Sequence, residues 1–391
     1  MDLYILDSLY RDVEVVEGYS SFIWTERHRD IGDFELITAS TLASRRQLVT
    51  GLRLGMSESN RVMILETVED TTDEEGRSIL KVKGRSLEMI LKNRLAMAAL
   101  TDLTTNPKWS ITAAPANIAR QLFHDICVTG ILNAGDIIPG ILETTIFPAD
   151  TIAEPSDVIT YEIDPTDLYS AIKNLCDQFA LGFRLVRGIN TSQLYFNIYT
   201  GSDRTTQQTS LPAVVFSINL DNLKNTTELT TIALYKNVAY VVSPVGHELV
   251  YDLGTDTAAN GFDRNVLFVK ADDITDTVPA TATAKMIQRG KEELAKNRRL
   301  SGFDGELSQS GQYKYQVDYY LGDLVEMQNK DGFTTTMQVT EQIFVRDREG
   351  IRRYPTLTVN EFITPGSWLS WDYNQVWNDL AADPQTWSEQ P

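Results

Sequence analysis

Three histidines, His28, His124 and His247, are the first candidates for acid–base or metal chemistry. They stand far apart in sequence, so neither a metal cluster nor a proton relay is expected from them. The run His247-Glu248-Leu249-Val250-Tyr251 begins like a zinc-protease HExxH, but Tyr251 stands where the second histidine must be. Ser308 and Ser310 miss the GxSxG spacing and have no nearby histidine to activate them. The carboxylate pairs Asp272-Asp273 and Glu74-Glu75 lie in turn-like segments and read as solvated charges rather than a glycosidase pair. No P-loop, GxGxxG or EF-hand pattern occurs. Cys127 and Cys176 form no CxxC pair, and each sits among apolar residues, which reads as a buried free thiol in a reducing compartment. No catalytic, cofactor-binding or metal-binding residue is assigned, no cofactor is expected, and the chain is not expected to be an enzyme.

The elements that would carry these residues fall into blocks. Residues 19–27 and 34–37 are rich in aromatic and β-branched residues and read as strands. Residues 61–68 and 78–83 flank the acidic run 69–76 and read as a hairpin, followed by an amphipathic helix carrying Leu87, Ile90 and Leu91. Strands closed by a helix suggest a small antiparallel barrel or split sandwich. Residues 116–129 read as a helix with Ile118, Leu122 and Ile126 on its buried stripe, and 130–160 as a long loop. Asp164-Pro165 reads as the N-cap and first turn of a second helix, stopped by Gly182, with strands at 183–187 and 193–199. This is a small α+β unit.

Strand-like runs return at 213–242, a loopy stretch with one strand follows at 246–280, and a helix is expected at 282–299. That helix carries Lys285, Arg289, Lys291, Lys296, Arg298 and Arg299, which reads either as a solvated face or as a contact with an acidic partner. Residues 313–320, 323–328, 334–345 and 354–362 read as strands, with Arg346, Arg348, Arg352 and Arg353 around a hairpin turn as edge protection.

The 391 residues hold 35 Lys and Arg against 54 Asp and Glu, a net charge of −19. Such a chain lacks the clustered cations needed to grip phosphate backbones over a broad surface. The start has neither a basic n-region nor an apolar core, so no signal peptide is expected, and no apolar run is long enough for a membrane-spanning helix. Residues 365–391 contain no Lys or Arg yet carry four of the six tryptophans. That segment either folds back onto its own domain or docks a neighbouring protein. Trp368, Trp371, Tyr373, Trp377 and Trp387 are its candidate partner-docking residues.

Several motifs carry a resemblance. Trp24-Thr25-Glu26-Arg27, Gly32-Asp33-Phe34-Glu35-Leu36, Met63-Ile64-Leu65-Glu66 and Val82-Lys83-Gly84-Arg85-Ser86-Leu87-Glu88 occur in order. Asp318-Tyr319-Tyr320-Leu321-Gly322-Asp323-Leu324-Val325 follows near the other end. Together they resemble the tail-hub proteins of long non-contractile phages, above all those of actinobacterial hosts. The resemblance implies an α+β, mainly β chain with two tube-like antiparallel β-barrel domains and two smaller α/β domains. It implies a first barrel at 1–100, a first α/β domain at 101–205, a second barrel split over 206–245 and 300–363, and an inserted domain with the basic helix at 246–299. The Trp-rich tail, 364–391, lies outside it. It also implies a homotrimeric ring at the distal end of the tail tube in the virion, assembled in the host cytoplasm. Its partners would be the distal tail protein ring, the tape-measure protein and tail fibre or tip proteins, with DNA passing through the lumen without specific binding. The competing expectations are a cell-wall-degrading enzyme of the tail tip and a carbohydrate-binding receptor protein.

Overall fold

The computed structural model describes residues 1–72, 74, 76–99, 108–143, 154–188, 193–251, 261–297, 300–307, 313–329, 332 and 334–359. Most of the regular structure is strand, and buried apolar side chains gather into four cores.

Alternation builds the N-terminal core. Tyr19–Arg27 buries Phe22 and Trp24 while Ile23 faces outward, and Asp33–Ala39 buries Phe34 and Leu36. The hairpin Ser59–Thr72 and Ser78–Ser86 is longer than its apolar runs suggest, because Thr72 still pairs with Ser78. One sheet path then runs through the molecule. It passes from Ile141–Glu143 through Leu194–Tyr199, Gly182–Arg187, Ser59–Thr72, Ser78–Ser86 and Asp33–Ala39 to Tyr19–Arg27. From there it continues to Thr334–Asp347, Gly350–Val359, Leu300–Leu307 and Leu223–Thr231. The seam is antiparallel, with Phe344 opposite Trp24, so the first and last thirds of the chain share one sheet.

Helix α1 spans Leu42–Gln47, α2 Pro115–Phe123, α3 Leu168–Phe179 and α4 Pro279–Ala295. Beyond α2 the chain widens into a π-helical turn, His124–Thr129, closed by Gly130 at a φ of +68°. The helix expected after Ser86 is a 3₁₀ helix, Leu87–Asn93. Helix α3 is capped by Asp167, which accepts from the Ser170 amide at 2.9 Å, and not by Asp164. Thr166 and Asp167 first pair with Ala96 and Leu95, which delays the helix by about one turn. The helix ends at Ala180, which adopts a φ of +55° before Gly182 is reached.

The long stretch 130–160 holds a 3₁₀ turn, Ala134–Asp136, and the strand Ile141–Glu143. Two further differences have clear causes. Tyr313–Tyr320 is a compact turn and not a strand: Asp318 accepts from the Lys314 amide at 2.7 Å, and Tyr315 and Tyr319 turn their rings into the core. Gly246–Tyr251 is a strand, pairing with Val238–Ser243, which also pairs with Val266–Lys270. These three strands and α4 form a separate small module with its own core.

Candidate functional site

The described residues bring no catalytic set together. No group of three or more His, Cys, Asp or Glu among them is placed to hold a metal. His247 lies on a strand, where HExxH geometry is impossible because both ligands must share one helix face. His124 is half exposed beside Asp125 and Thr129. Cys127 and Cys176 are free and buried, and burial pushes both thiols far from reactivity, Cys127 up to about 12. Ser308, Ser310, Glu75, Arg298, Arg299 and all five candidate docking aromatics lie outside the described residues.

What the fold does assemble is a buried polar junction where three of the four cores meet. Its centre is the motif set singled out above. Glu26 accepts from Trp24 Nε1 at 3.1 Å, from the Tyr315 hydroxyl at 2.8 Å and from Ser59 Oγ. Glu88 pairs with Arg61, both buried, and also accepts from the Leu185 amide at 2.8 Å. Arg61 Nη2 donates to the Arg27 carbonyl at 3.1 Å. Burial opposes the Arg61 charge, but Glu88 together with Tyr199, Glu26 and Tyr315 outweighs it and drives its affinity for the proton up. A cavity of ≈ 80 Å³ lies between Glu26, Arg61, Arg184 and Tyr315.

His28 sits beside this network and is 1% exposed. Neither ring nitrogen has a hydrogen-bond partner among the described residues. Its backbone is held instead, with the amide donating to Thr340 O at 2.8 Å and the carbonyl accepting from Phe183 N at 3.3 Å. The ring meets Tyr199 edge-on at 5.0 Å. Gly182 and Gly322 press on the same ring, and Gly322 has a φ of +92°. Asp323, fully buried next to it, accepts from the Ser202 amide at 2.7 Å and the Tyr320 amide at 2.9 Å. The LGD motif is therefore a turn that joins the C-terminal core to the strand Leu194–Tyr199.

Burial drives the His28 pKa well below 6.5, and the cationic Arg29, Arg184, Arg61 and Lys173 add to that. The sign follows directly. Above pH 6.5 neither folded nor unfolded chain protonates this ring, and its contribution to stability is complete. Below pH 6.5 the unfolded chain takes up a proton that the folded chain refuses. Stability is expected to fall by about 1.4 kcal/mol per pH unit from this group alone. Between pH 6.5 and 5.5 the loss is about 1 kcal/mol, because the unfolded ring is already half protonated at 6.5, and urea titrations at the two values should show it in the parent and lose it in His28→Gln. An unchanged slope in the variant would remove His28 as the cause.

The second concavity is a cleft of ≈ 620 Å³ between the strand Ile159–Ile163 and α4. Its cations are consumed by carboxylates of the same chain. Lys285 holds Glu162 at 2.7 Å and Asp276 at 3.0 Å, while Arg289 and Lys108 hold Asp273 at 3.0 and 2.8 Å. Burial raises the Asp273 pKa, but Lys108 and Arg289 outweigh it and hold the carboxyl below its usual range. Glu292 is pushed the other way, because burial exceeds what Arg289 restores. The basic helix thus fastens one module to another within the chain. The arginines near the last hairpin act likewise: Arg353 grips Glu58 at 2.7 Å, and Arg346 donates to Met1 O at 2.7 Å. Arg346 lies on Thr334–Asp347, which is paired on both sides, whereas Arg352 and Arg353 lie on the half of Gly350–Val359 that pairs on one side among the described residues.

Residues 2–357 match the sequence model of the Siphovirus ReqiPepy6 Gp37-like protein family. The chain belongs to this family. The resemblance carried by the motifs from Trp24 to Val325 is thereby borne out. The fold is similar to the tail protein from Neisseria meningitidis MC58, with TM-score 0.55, 11% identity, and 92% of this chain and 96% of that one covered. It is also similar to the 43 kDa tail protein of prophage MuSo2 from Shewanella oneidensis, with TM-score 0.54, 12% identity, and 92% and 98% covered. No curated protein matches the chain in sequence. The Gp37-like chain is thus mainly β with the fold of phage tail proteins, and no helix among its described residues is long and apolar enough to cross a membrane.

Proposed function

We propose that this Gp37-like chain is the structural hub at the distal end of a siphophage tail tube, with no catalytic role. The observation that carries the proposal is the family match combined with the seam between Tyr19–Arg27 and Thr334–Asp347, which sets two β cores side by side in one chain. Three such chains would present six β units, the number a six-fold tube requires. We assign the tube-like barrels to 1–100 and to 206–245 with 300–363, and the decorating α/β domains to 101–205 and to the inserted domain at 246–299. In this role the ring contacts the distal tail protein ring and the end of the tape-measure protein, and carries fibre or tip proteins outside. The aromatics Trp368, Trp371, Tyr373, Trp377 and Trp387 serve as docking groups. Three copies would carry −57 in total, and carboxylates lining the lumen would repel passing DNA.

Light scattering on the purified chain across a concentration series tests the ring. The expected mass is three times 44.0 kDa. A monomer at every concentration, combined with absence of the chain from purified tail tips, would sink the hub reading. A zymogram on host cell wall should stay blank; a clearing zone would replace the structural role by an enzymatic one.

A further inference from the structure

The small sheet of the inserted module has two unlike faces. Directly paired residues share a face. Ala239, Val241, Val250 and Val269 face α4, where Ala282, Met286 and Leu294 cover them. On the opposite face Tyr240 has Leu249 and Phe268 as its direct partners, and Val242 lies between His247 and Lys270. These apolar side chains are exposed, Phe268 at 65%. None of the strand residues on this outer face is a carboxylate, although the whole chain has a large excess of acid; the acid at its rim, Asp272, pairs with Lys270 at 2.5 Å. Arg264 instead donates to the Tyr240 hydroxyl at 3.2 Å. An aromatic and aliphatic face with a cationic fringe is a docking surface in need of an occupant.

The sheet register indicates the occupant. Gly302 pairs with Thr358, so the chain beyond Val359 departs beside Leu300. Leu300 in turn pairs with Thr231. The polypeptide enters the inserted module after Thr231 and leaves it just before Leu300. Val359, the last residue before the C-terminal segment, therefore stands at the neck of this module, about 4.8 Å from the exit strand. Two exposed apolar residues, Ile232 at 62% and Leu234 at 75%, stand at the same neck. The 32 residues 360–391 hold four tryptophans, five carboxylates and no Lys or Arg. As a coil they span roughly 30 Å, whereas a module of about 60 residues has a radius of gyration of only ~10 Å.

We propose that residues 360–391 dock on the outer sheet face of their own inserted module, with tryptophans covering Tyr240, Leu249 and Phe268 and a carboxylate meeting Arg264. This rests on reading the tryptophan-rich segment as a docking element and names the surface it takes. The contact closes an apolar face that would otherwise invite aggregation of free subunits.

The test uses the full chain with Trp371→p-benzoylphenylalanine, photolysed and mapped by mass spectrometry over a tenfold dilution series. Adducts are expected on Val238–Ser243, Gly246–Tyr251 or Val266–Lys270 of the same chain, at a yield independent of dilution. The double substitution Leu249→Glu and Phe268→Glu should cut that yield about tenfold while leaving the thermal transition in place. Adducts elsewhere, no adducts, or a yield that falls on dilution would overturn the assignment, the last by making a second copy the receiver. A parallel variant with the four tail tryptophans changed to alanine separates the two readings. If that variant enters tail particles normally, the segment docks no tail partner, and the surface named here then stands or falls on the adducts alone. If it is excluded while the adducts map elsewhere, only the surface named here is wrong.

Discussion

Glu88→Ala is expected to cost about 3–5 kcal/mol of stability, the range for breaking a buried ion pair from one side. Arg61 is left charged and buried, with the Arg27 carbonyl as a neutral partner. The Leu185 amide also loses its acceptor. The two losses fall on different cores, since Arg61 lies on a strand of the N-terminal sheet and Leu185 in the α/β core. The effect should therefore appear as an earlier joint transition in urea, not as local fraying. Glu88→Gln keeps an acceptor for Leu185 and should lose less. The double change Arg61→Met with Glu88→Leu removes both charges and should recover most of the loss, because apolar side chains of similar volume replace such pairs well. A loss under about 1 kcal/mol in Glu88→Ala would mean that the pair does not hold the junction.

Much of the strand pattern was legible because it is local. Tyr19–Arg27 and Val266–Lys270 alternate or cluster apolar residues in ways that only a strand explains. The stripe of α3 was equally plain in Leu168, Ile172 and Leu175. What stayed hidden depends on contacts far apart in sequence. Asp164 has every local qualification for an N-cap, yet Thr166–Asp167 is taken up by Leu95–Ala96, some seventy residues away. Tyr313–Tyr320 looks like a strand by composition, but its rings are spent on the core around Tyr319. The basic residues of α4 look like a surface for an acidic partner until Glu162 and Asp273 are brought beside them. Gly182 illustrates the same limit. Its place after a helix suggests a stop signal, whereas its lack of a side chain serves His28. The motifs that identify the family turn out to be structural: Glu26, Glu88, Gly322 and Asp323 all sit in or beside the junction. No local signal marks them as partners, because each contributes one group to a network built by segments far apart in the chain.

Gly322→Ala should be strongly damaging, for two separable reasons. The new Cβ would stand 2.6 Å from His28 Cε1, with the Tyr199 ring at 3.1 Å behind it. The backbone at this position also has a φ of +92°, which L side chains adopt only under strain. Overpacking and strain together predict a loss of roughly 2–4 kcal/mol. Gly182→Ala meets the same His28 ring, but its backbone lies outside the left-handed region. A second change, His28→Ala, distinguishes the two sites. Trimming the ring makes room at both positions, at the expense of the cavity it leaves. With Gly182→Ala the double variant should come close to His28→Ala alone, since the tightest contact, with the His28 ring, is gone and the Tyr199 ring, 2.8 Å from the new Cβ, can shift into the vacated space. With Gly322→Ala it should remain about 1–2 kcal/mol below His28→Ala, since backbone strain survives the removal of the ring. Calorimetry on the five chains resolves the comparison. Equal rescue at both glycines would show that Gly322 is required only for space, and that the LGD turn tolerates an L residue in its left-handed conformation.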